Sequence, residues 1–216
     1  MKLKSLDVSN VMYLEGDKIG KVLAFLSLSP IFIMVFYVTL VASRRELSVG
    51  FILLGQLMNE LFNGILKDHW REPRPSEMLG DGYGCPSSHA QYMGYMIVVW
   101  TWYIWSRMQL ELNIFKLPLN IAVVGLCLVV CYSRYYLNYH TLSQISLGFQ
   151  LGVIFGFVWL FAIEVVFRNM GGFEYLEEFW LFKYWYFKDS SNIGNVLKIE
   201  RDYLIGLREK TKIKSN

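Results

Sequence analysis

The run Ile145–Phe167, ISLGFQLGVIFGFVWLFAIEVVF, sets the solvent this chain is built for. Its one charged residue is Glu164, and it exceeds the roughly 20 helical residues that cross a bilayer core. A helix pairs its backbone groups internally, which hydrocarbon demands. Four more runs read the same way: Val22–Ala42, Val49–Leu66, Ala90–Trp105 and Leu119–Leu137. Val49–Leu66 and Ala90–Trp105 are shorter and carry polar residues. The expected fold is all-α, a polytopic transmembrane helix bundle of about five spans. Phe173–Phe187 is rich in aromatics, but Glu174, Glu177, Glu178 and Lys183 interrupt it. That pattern suits an interfacial helix better than a sixth span. The chain thus divides into an N-terminal segment 1–21, a membrane domain 22–168 and a tail 169–216.

Composition agrees. Hydrophobic residues make up 54% of the 216 and charged ones 18%, against the roughly 25% charged of an average soluble protein. Too little charge is left to build a solvated shell. Five prolines and three cysteines exclude collagen-like and disulfide-scaffold classes. A net charge of +3 makes no case for nucleic acid. Cys127 and Cys131 lie one turn apart in an apolar run and read as packing residues, while Cys85 sits alone in a polar loop. The segment before the first span carries Asp7, Glu15 and Asp17 and lacks the apolar core of a cleavable signal. The first span is therefore expected to do the targeting.

Basic residues orient the bundle. One side holds Arg44, Arg45, Arg107, Lys116 and the Lys- and Arg-bearing tail. By the positive-inside rule that side is expected to be cytoplasmic. The loops Lys67–His89 and Ser133–Thr141 then face the lumen or the outside.

Those two loops collect His69, His89 and His140, all the histidines of the chain, with Lys67, Arg71, Arg74 and Arg134. In Lys67-Asp-His-Trp-Arg-Glu-Pro-Arg74-Pro75 the prolines stop the helix and free Lys67 and Arg74 to converge on an anion. The alternative is a snorkelling Lys and an interfacial Arg. Gly80-Asp-Gly-Tyr-Gly84-Cys-Pro86-Ser87-Ser88-His89 runs into the third span, with glycines for a tight loop and Pro86 suited to a first helical turn. Unpaired N–H groups there suit phosphate, Ser87 adds a hydroxyl, and His89 is placed to protonate a leaving oxygen. A plain capped helix start is the alternative. In Ser133-Arg134-Tyr-Tyr-Leu-Asn-Tyr-His140-Thr-Leu-Ser-Gln144 a turn would bring Arg134 to His140. His140 and Gln144 are four apart, so the Gln carbonyl could hold one ring nitrogen and leave the other bare as a nucleophile.

Lys-x6-Arg-Pro, Pro-Ser-x-His and Ser-Arg-x5-His resemble the three motifs of the type 2 phosphatidic acid phosphatase (PAP2) superfamily. LAFLSLSP, RREL, LMNELFNGILK, PSSHAQ, SRYYLNYHTLSQ and KDSSNIGNVL resemble its dolichyl diphosphate phosphatase branch, over roughly residues 16–198. The resemblance implies a bundle of the PAP2 type in the endoplasmic reticulum membrane, with a lumenal site, a cytosolic C-terminus and a polyisoprenoid diphosphate substrate. It implies that Lys67, Arg74, Arg134, Ser87 and the Ser88 N–H bind phosphate. His140 would attack phosphorus to form a phosphohistidine, and His89 would protonate the leaving group and then activate water. Ser88 departs from the usual Gly, and Gln144 from the usual Asp. No cofactor is implied, and the sequence shows neither an acidic Mg²⁺ cluster nor His/Cys zinc spacing. A three-His metal site is the alternative.

Glu60 and Asn63 share a face with Lys67, as part of the site or as interhelical hydrogen-bonding residues. Gly148, Gly152 and Gly156 form a small-residue row expected to permit close packing within the bundle. The final Lys212-Ile-Lys214-Ser-Asn216 resembles a K-x-K-x-x retrieval signal read on cytosolic tails.

Overall fold

The computed structural model describes residues 3–6, 9–76, 82–108 and 113–215, the side chains of 10, 197 and 212–215 excepted. Lys212 and Lys214 of the retrieval-like end thus lie outside the described side chains, and Gly80 and Asp81 outside the described residues. Helices dominate: α1 (Lys18–Leu26), α2 (Ser29–Arg44), α3 (Leu47–Trp70), α4 (Ser88–Ser106), α5 (Lys116–Tyr136) and α6 (Leu142–Leu160). Among the described residues, four stretches are long and apolar enough to cross a membrane: Lys18–Arg44, Leu47–Trp70, Asn113–Tyr136 and Leu142–Phe167. Helix α4, with 19 residues, is the remaining helix of spanning length in the stretch 22–168, and it lies in the middle. Its hydropathy is lowered by His89, Gln91 and several Tyr and Trp, which other helices cover. Met93, Tyr95, Val99 and Ile104 are all fully buried there. The all-α bundle of about five spans is borne out. Large apolar side chains such as Phe32, Val35, Ile121, Leu128, Phe157 and Val158 face outward, as lipid-facing positions do.

Three features depart from the sequence reading. The N-terminal segment forms a hairpin, β1 (Leu3–Leu6) against β2 (Ser9–Leu14), packed on Leu137 and Tyr139. The first span is broken between α1 and α2 at Ser27–Leu28. Pro30 has no N–H to give to the Leu26 carbonyl, and the Ser29 hydroxyl bonds that carbonyl instead. Third, the tail is helical: α7 (Gly172–Glu178), α8 (Trp180–Tyr184) and α9 (Val196–Ser215). The expected single helix over Phe173–Phe187 is two short ones, interrupted where Phe179 is extended at ψ 129°.

The glycine row fixes the tightest contact. A Cβ on Gly152 would sit 2.0 Å from the Gln91 carbonyl oxygen, and one on Gly148 would sit 2.6 Å from that of Ser87. On the facing helix, a Cβ on Gly94 would meet the Phe149 carbonyl oxygen at 2.2 Å. Helices α4 and α6 therefore touch backbone to backbone, as expected of the row.

The tail docks at the end of the bundle away from those loops. Glu164, in the π-helical turn Phe161–Phe167 that continues α6, accepts from Arg107 at 2.6 Å and Arg168 at 2.8 Å. Arg168 also pairs with Asp189 and lies 3.7 Å over the Phe173 ring. Arg44 bonds Glu200 on α9 with both terminal nitrogens.

Candidate active site

The C-terminal end of α3, the N-terminal end of α4, the C-terminal end of α5 and the N-terminal end of α6 meet at one end of the bundle. A buried amide cluster locks α3 to α4. Gln91 Nε2 donates to Asn59 Oδ1 at 3.0 Å, and Asn63 Nδ2 donates to Gln91 Oε1 at 2.8 Å. Asn63 is thus an interhelical hydrogen-bonding residue, and it points at the loop entering α4. Glu60 is half-buried beside it, within electrostatic reach of Lys67.

That loop ends in Ser87, the N-cap of α4, whose hydroxyl makes no capping bond. Pro86 therefore precedes the cap and does not occupy the first turn. The Ser87 N–H donates to the Gln144 carbonyl at 3.2 Å, so this backbone is clamped to α6. Ser87 is fully buried, yet its Oγ has no hydrogen-bond partner, and neither has the buried Nε of Arg134. Orphaned donors of this kind are costly unless something fills them. Lys67, at the last turn of α3, reaches Ser88 Oγ at 3.3 Å. Arg134 lies 3.9 Å over the Tyr139 ring, which fixes its guanidinium plane.

The turn expected after Arg134 is present. Tyr139 and His140 both donate their N–H to the Arg134 carbonyl, at 3.0 and 3.2 Å, with Asn138 at φ 58°. His140 does not share a helical face with Gln144; it precedes Thr141, the N-cap of α6. The two meet through a capping box, in which Thr141 Oγ1 accepts from the Gln144 N–H and the Gln144 side chain returns to Thr141.

His140 Nδ1 faces two oxygens, the Gly84 carbonyl at 2.8 Å and Gln144 Oε1 at 3.3 Å. Both are acceptors, so Nδ1 carries the hydrogen and Nε2 holds a free lone pair. Burial, then the charges of Arg134, Lys67 and Arg74, push the His140 pKa down to about 3. The imidazole is accordingly neutral at neutral pH. On α4, His89 Nε2 lies 3.1 Å from the Ser27 carbonyl oxygen. His69 is exposed at the end of α3, apart from this group, and Arg71 caps α3 with its Nε on the Asp68 carbonyl.

The PAP2 superfamily profile matches residues 47–168 of this chain, the stretch that carries all of these side chains. The chain belongs to the PAP2 superfamily. It is similar to the dolichyldiphosphatase of Saccharomyces cerevisiae, with 32% identity over 200 residues covering 87% of this chain and 82% of that protein. Dolichyldiphosphatase 1 of Dictyostelium discoideum is 34% identical over 202 residues, covering 92% and 88%. A crystal structure of a transmembrane PAP2 type phosphatidylglycerolphosphate phosphatase from Bacillus subtilis superposes with a TM-score of 0.60 at 18% identity, over 71% of this chain and 80% of that one. That likeness shows the fold. Family and relatives make this chain a membrane phosphatase, a hydrolase.

Three contributors to this PAP2 site were not visible in the sequence. The Gly84 carbonyl holds His140 more closely than Gln144 does, and Gly84 itself sits where a Cβ would be 2.9 Å from Gln144 Nε2. The Ser27 carbonyl is offered by a helix break far away in sequence. The third is Glu72, 2.8 Å from Gln144 Nε2. Loop length hid Gly84 and Glu72, and the helix break hid Ser27, since nothing in a linear spacing says which carbonyl or carboxylate is presented to a distant residue.

Proposed function

We propose that this phosphatase hydrolyses dolichyl diphosphate to dolichyl phosphate and inorganic phosphate, on the lumenal face of the endoplasmic reticulum, and so recycles the carrier for protein N-glycosylation. The observation that carries the chemistry is the pair of buried orphan donors, Ser87 Oγ and Arg134 Nε, beside an imidazole whose Nε2 is bare. A phosphoryl group bound there supplies the missing acceptors. The choice of lipid is supported by similarity to the two dolichyldiphosphatases. Lys67, Arg74 and Arg134 offset the roughly three negative charges of a lipid diphosphate at a site of low dielectric. No cofactor takes part.

His140 Nε2 attacks the terminal phosphorus and the anhydride P–O bond breaks. Dolichyl phosphate leaves with a proton from Nδ1 of the His89 imidazolium, a form that the negative charge of the bound diphosphate stabilises against burial, and phosphohistidine is left on His140. His89 then takes a proton from water, the hydroxide attacks phosphorus, the P–N bond breaks and inorganic phosphate departs. Water is consumed and both histidines return to their starting state. Lys67, Arg74, Arg134, Ser87 and the Ser88 N–H hold the phosphoryl oxygens, and Gln144 orients His140. The charge asymmetry along the chain supports a lumenal segment 1–21, a phosphatase domain 22–168 and a cytosolic tail 169–216.

The test is phosphate release by purified protein from dolichyl diphosphate, dolichyl phosphate, a shorter polyprenyl diphosphate and phosphatidic acid, with and without EDTA. Preference for dolichyl diphosphate, insensitivity to EDTA and loss in His140→Ala are expected. Preference for another lipid overturns the substrate, loss under EDTA overturns the metal-free chemistry, and release by His140→Ala overturns the nucleophile.

A further inference from the structure

Gln144 sits where a carboxylate would give an adjacent imidazolium its counter-charge, and an amide has none to give. A charge is nevertheless close at hand. Gln144 Nε2 donates to Glu72 Oε1 at 2.8 Å and to the Pro73 carbonyl at 3.0 Å. Its Oε1 faces His140 Nδ1 and the Thr141 N–H, both at 3.3 Å. Only one orientation of the amide satisfies all four contacts, because two of its partners only accept and two donate. Oε1 therefore points to His140 and Nε2 to Glu72.

We propose that Glu72 is a positioning residue of this site, whose carboxylate acts on His140 through the Gln144 amide. An ionised acceptor on Nε2 polarises the amide and places more negative charge on Oε1, the atom that meets Nδ1–H. The effect grows when His140 becomes charged on phosphorylation, so it favours the transition state over the free enzyme. The backbone holds Glu72 in place: its carbonyl accepts the Gly84 N–H at 2.7 Å, and the Gly84 carbonyl in turn binds His140. Glu72 also faces the Cys85 thiol, which burial and then that carboxylate hold up at about 11. The site thus uses two residues, an amide inside and a carboxylate outside. This keeps the negative charge away from the incoming diphosphate, which a carboxylate directly on His140 would repel. Arg134, Lys67, Arg74 and His89 are the other charged or titratable groups bearing on His140.

This proposal rests on His140 being the nucleophile, and an exchange of the two residues tests it. In Glu72→Gln the hydrogen bond survives and the charge does not. Phosphate release should lose about tenfold in kcat with KM nearly unchanged, the size of one charge-assisted hydrogen bond. In Gln144→Glu two carboxylates face each other, and kcat should fall at least as far. The double variant Glu72→Gln/Gln144→Glu restores one amide and one carboxylate in contact, with the charge now next to His140. Its kcat should recover to within about threefold of wild type, on the same scale. A rescue of this kind is not expected of residues that only maintain the loop. Wild-type kcat in Glu72→Gln, or a double variant no faster than the slower single one, overturns the proposal. His140→Ala run in parallel separates the premises: if it still releases phosphate, the nucleophile is wrong and this proposal falls with it. If the wild type prefers phosphatidic acid, only the lipid is wrong, and the same four proteins decide the role of Glu72 on that substrate.

Discussion

His89 Nε2 lies 3.1 Å from the carbonyl oxygen of Ser27, a residue in the break between α1 and α2. A carbonyl only accepts, so Nε2 carries a hydrogen and proton exchange falls to Nδ1. The carbonyl is free because the helix stops there: the Ile31 N–H goes to Leu28 at 3.0 Å instead of to Ser27. A helix break remote from the three motifs thereby sets the tautomer of the proposed acid.

Pro30→Ala tests that link. With an N–H restored at position 30, α1 and α2 can run on as one helix, and the Ile31 N–H then competes with His89 for the Ser27 carbonyl. The expected result is a fall in kcat of about three- to tenfold with KM unchanged, part of what a general acid contributes. Unaltered kcat in a folded Pro30→Ala protein would remove Ser27 from the site.

Gly152→Ala probes the α4–α6 contact. The new Cβ would approach the Gln91 carbonyl oxygen to 2.0 Å, and backbone cannot step aside as a flexible side chain can. Overpacking of a core costs about 1–3 kcal/mol, and a clash with backbone belongs at the upper end. Gly125→Ala on α5 meets nothing within 4 Å and serves as the control, neutral or slightly stabilising. Thermal unfolding in detergent should separate the two variants clearly, and equal midpoints would contradict this packing.

Much of the bundle was legible because hydrocarbon leaves a sequence few options. Long apolar runs with paired backbone must be helices, and their ends must carry the polar chemistry. That logic places Lys67, Ser87, Arg134 and His140 at one end from the sequence alone. Helix α4 was legible from a shorter run, Ala90–Trp105, whose Gln91, Tyr92 and Tyr95 make it the least lipid-like, since it is the helix the others enclose. The break at Pro30 was missed because a lone proline early in an apolar run also fits a kinked single span. Helix α9 was missed because its Val196, Ile199, Tyr203 and Leu207, spaced as on one helix face, are interleaved with enough charge to read as a polar tail. Glu72 was missed because its role depends on a loop returning to Gln144.

The His140 titration can be measured directly. Its pKa of about 3 follows from burial and three nearby cations, so the ring is neutral throughout the physiological range. Between pH 6.5 and about 3 the unfolded chain binds a proton that the folded chain does not. Stability should therefore fall as pH drops through that window. In a ¹⁵N-histidine spectrum, the signal absent from His140→Ala should keep its Nδ1–H neutral tautomer down to about pH 4. Added inorganic phosphate should raise its midpoint by offsetting Arg134, Lys67 and Arg74. A midpoint near 6.5 without phosphate would contradict the burial and charge placement found here.

Arg168→Ala addresses the far end of the molecule. Among the described residues, Arg168 is the one cation shared by Glu164 and Asp189, whose side chains are only 9% and 8% exposed. Burial alone would raise the Asp189 carboxyl, but its Ser191 and Arg168 hydrogen bonds win and hold it below the usual carboxylate range. Removing the arginine leaves Arg107 to serve Glu164 and leaves Asp189 without its cation, a change that costs about 3–5 kcal/mol for a buried pair. The tail should loosen, seen as faster proteolysis beyond residue 168 and a lower unfolding midpoint. Arg168→Lys should fall between, since an ammonium cannot fork to Glu164 and Asp189 together. KM for the lipid should stay at the wild-type value in every variant that folds, because Lys67, Ser87 and His140 lie at the opposite end of the helices. A raised KM with an intact tail would mean that the two ends communicate, against the separation that the fold imposes.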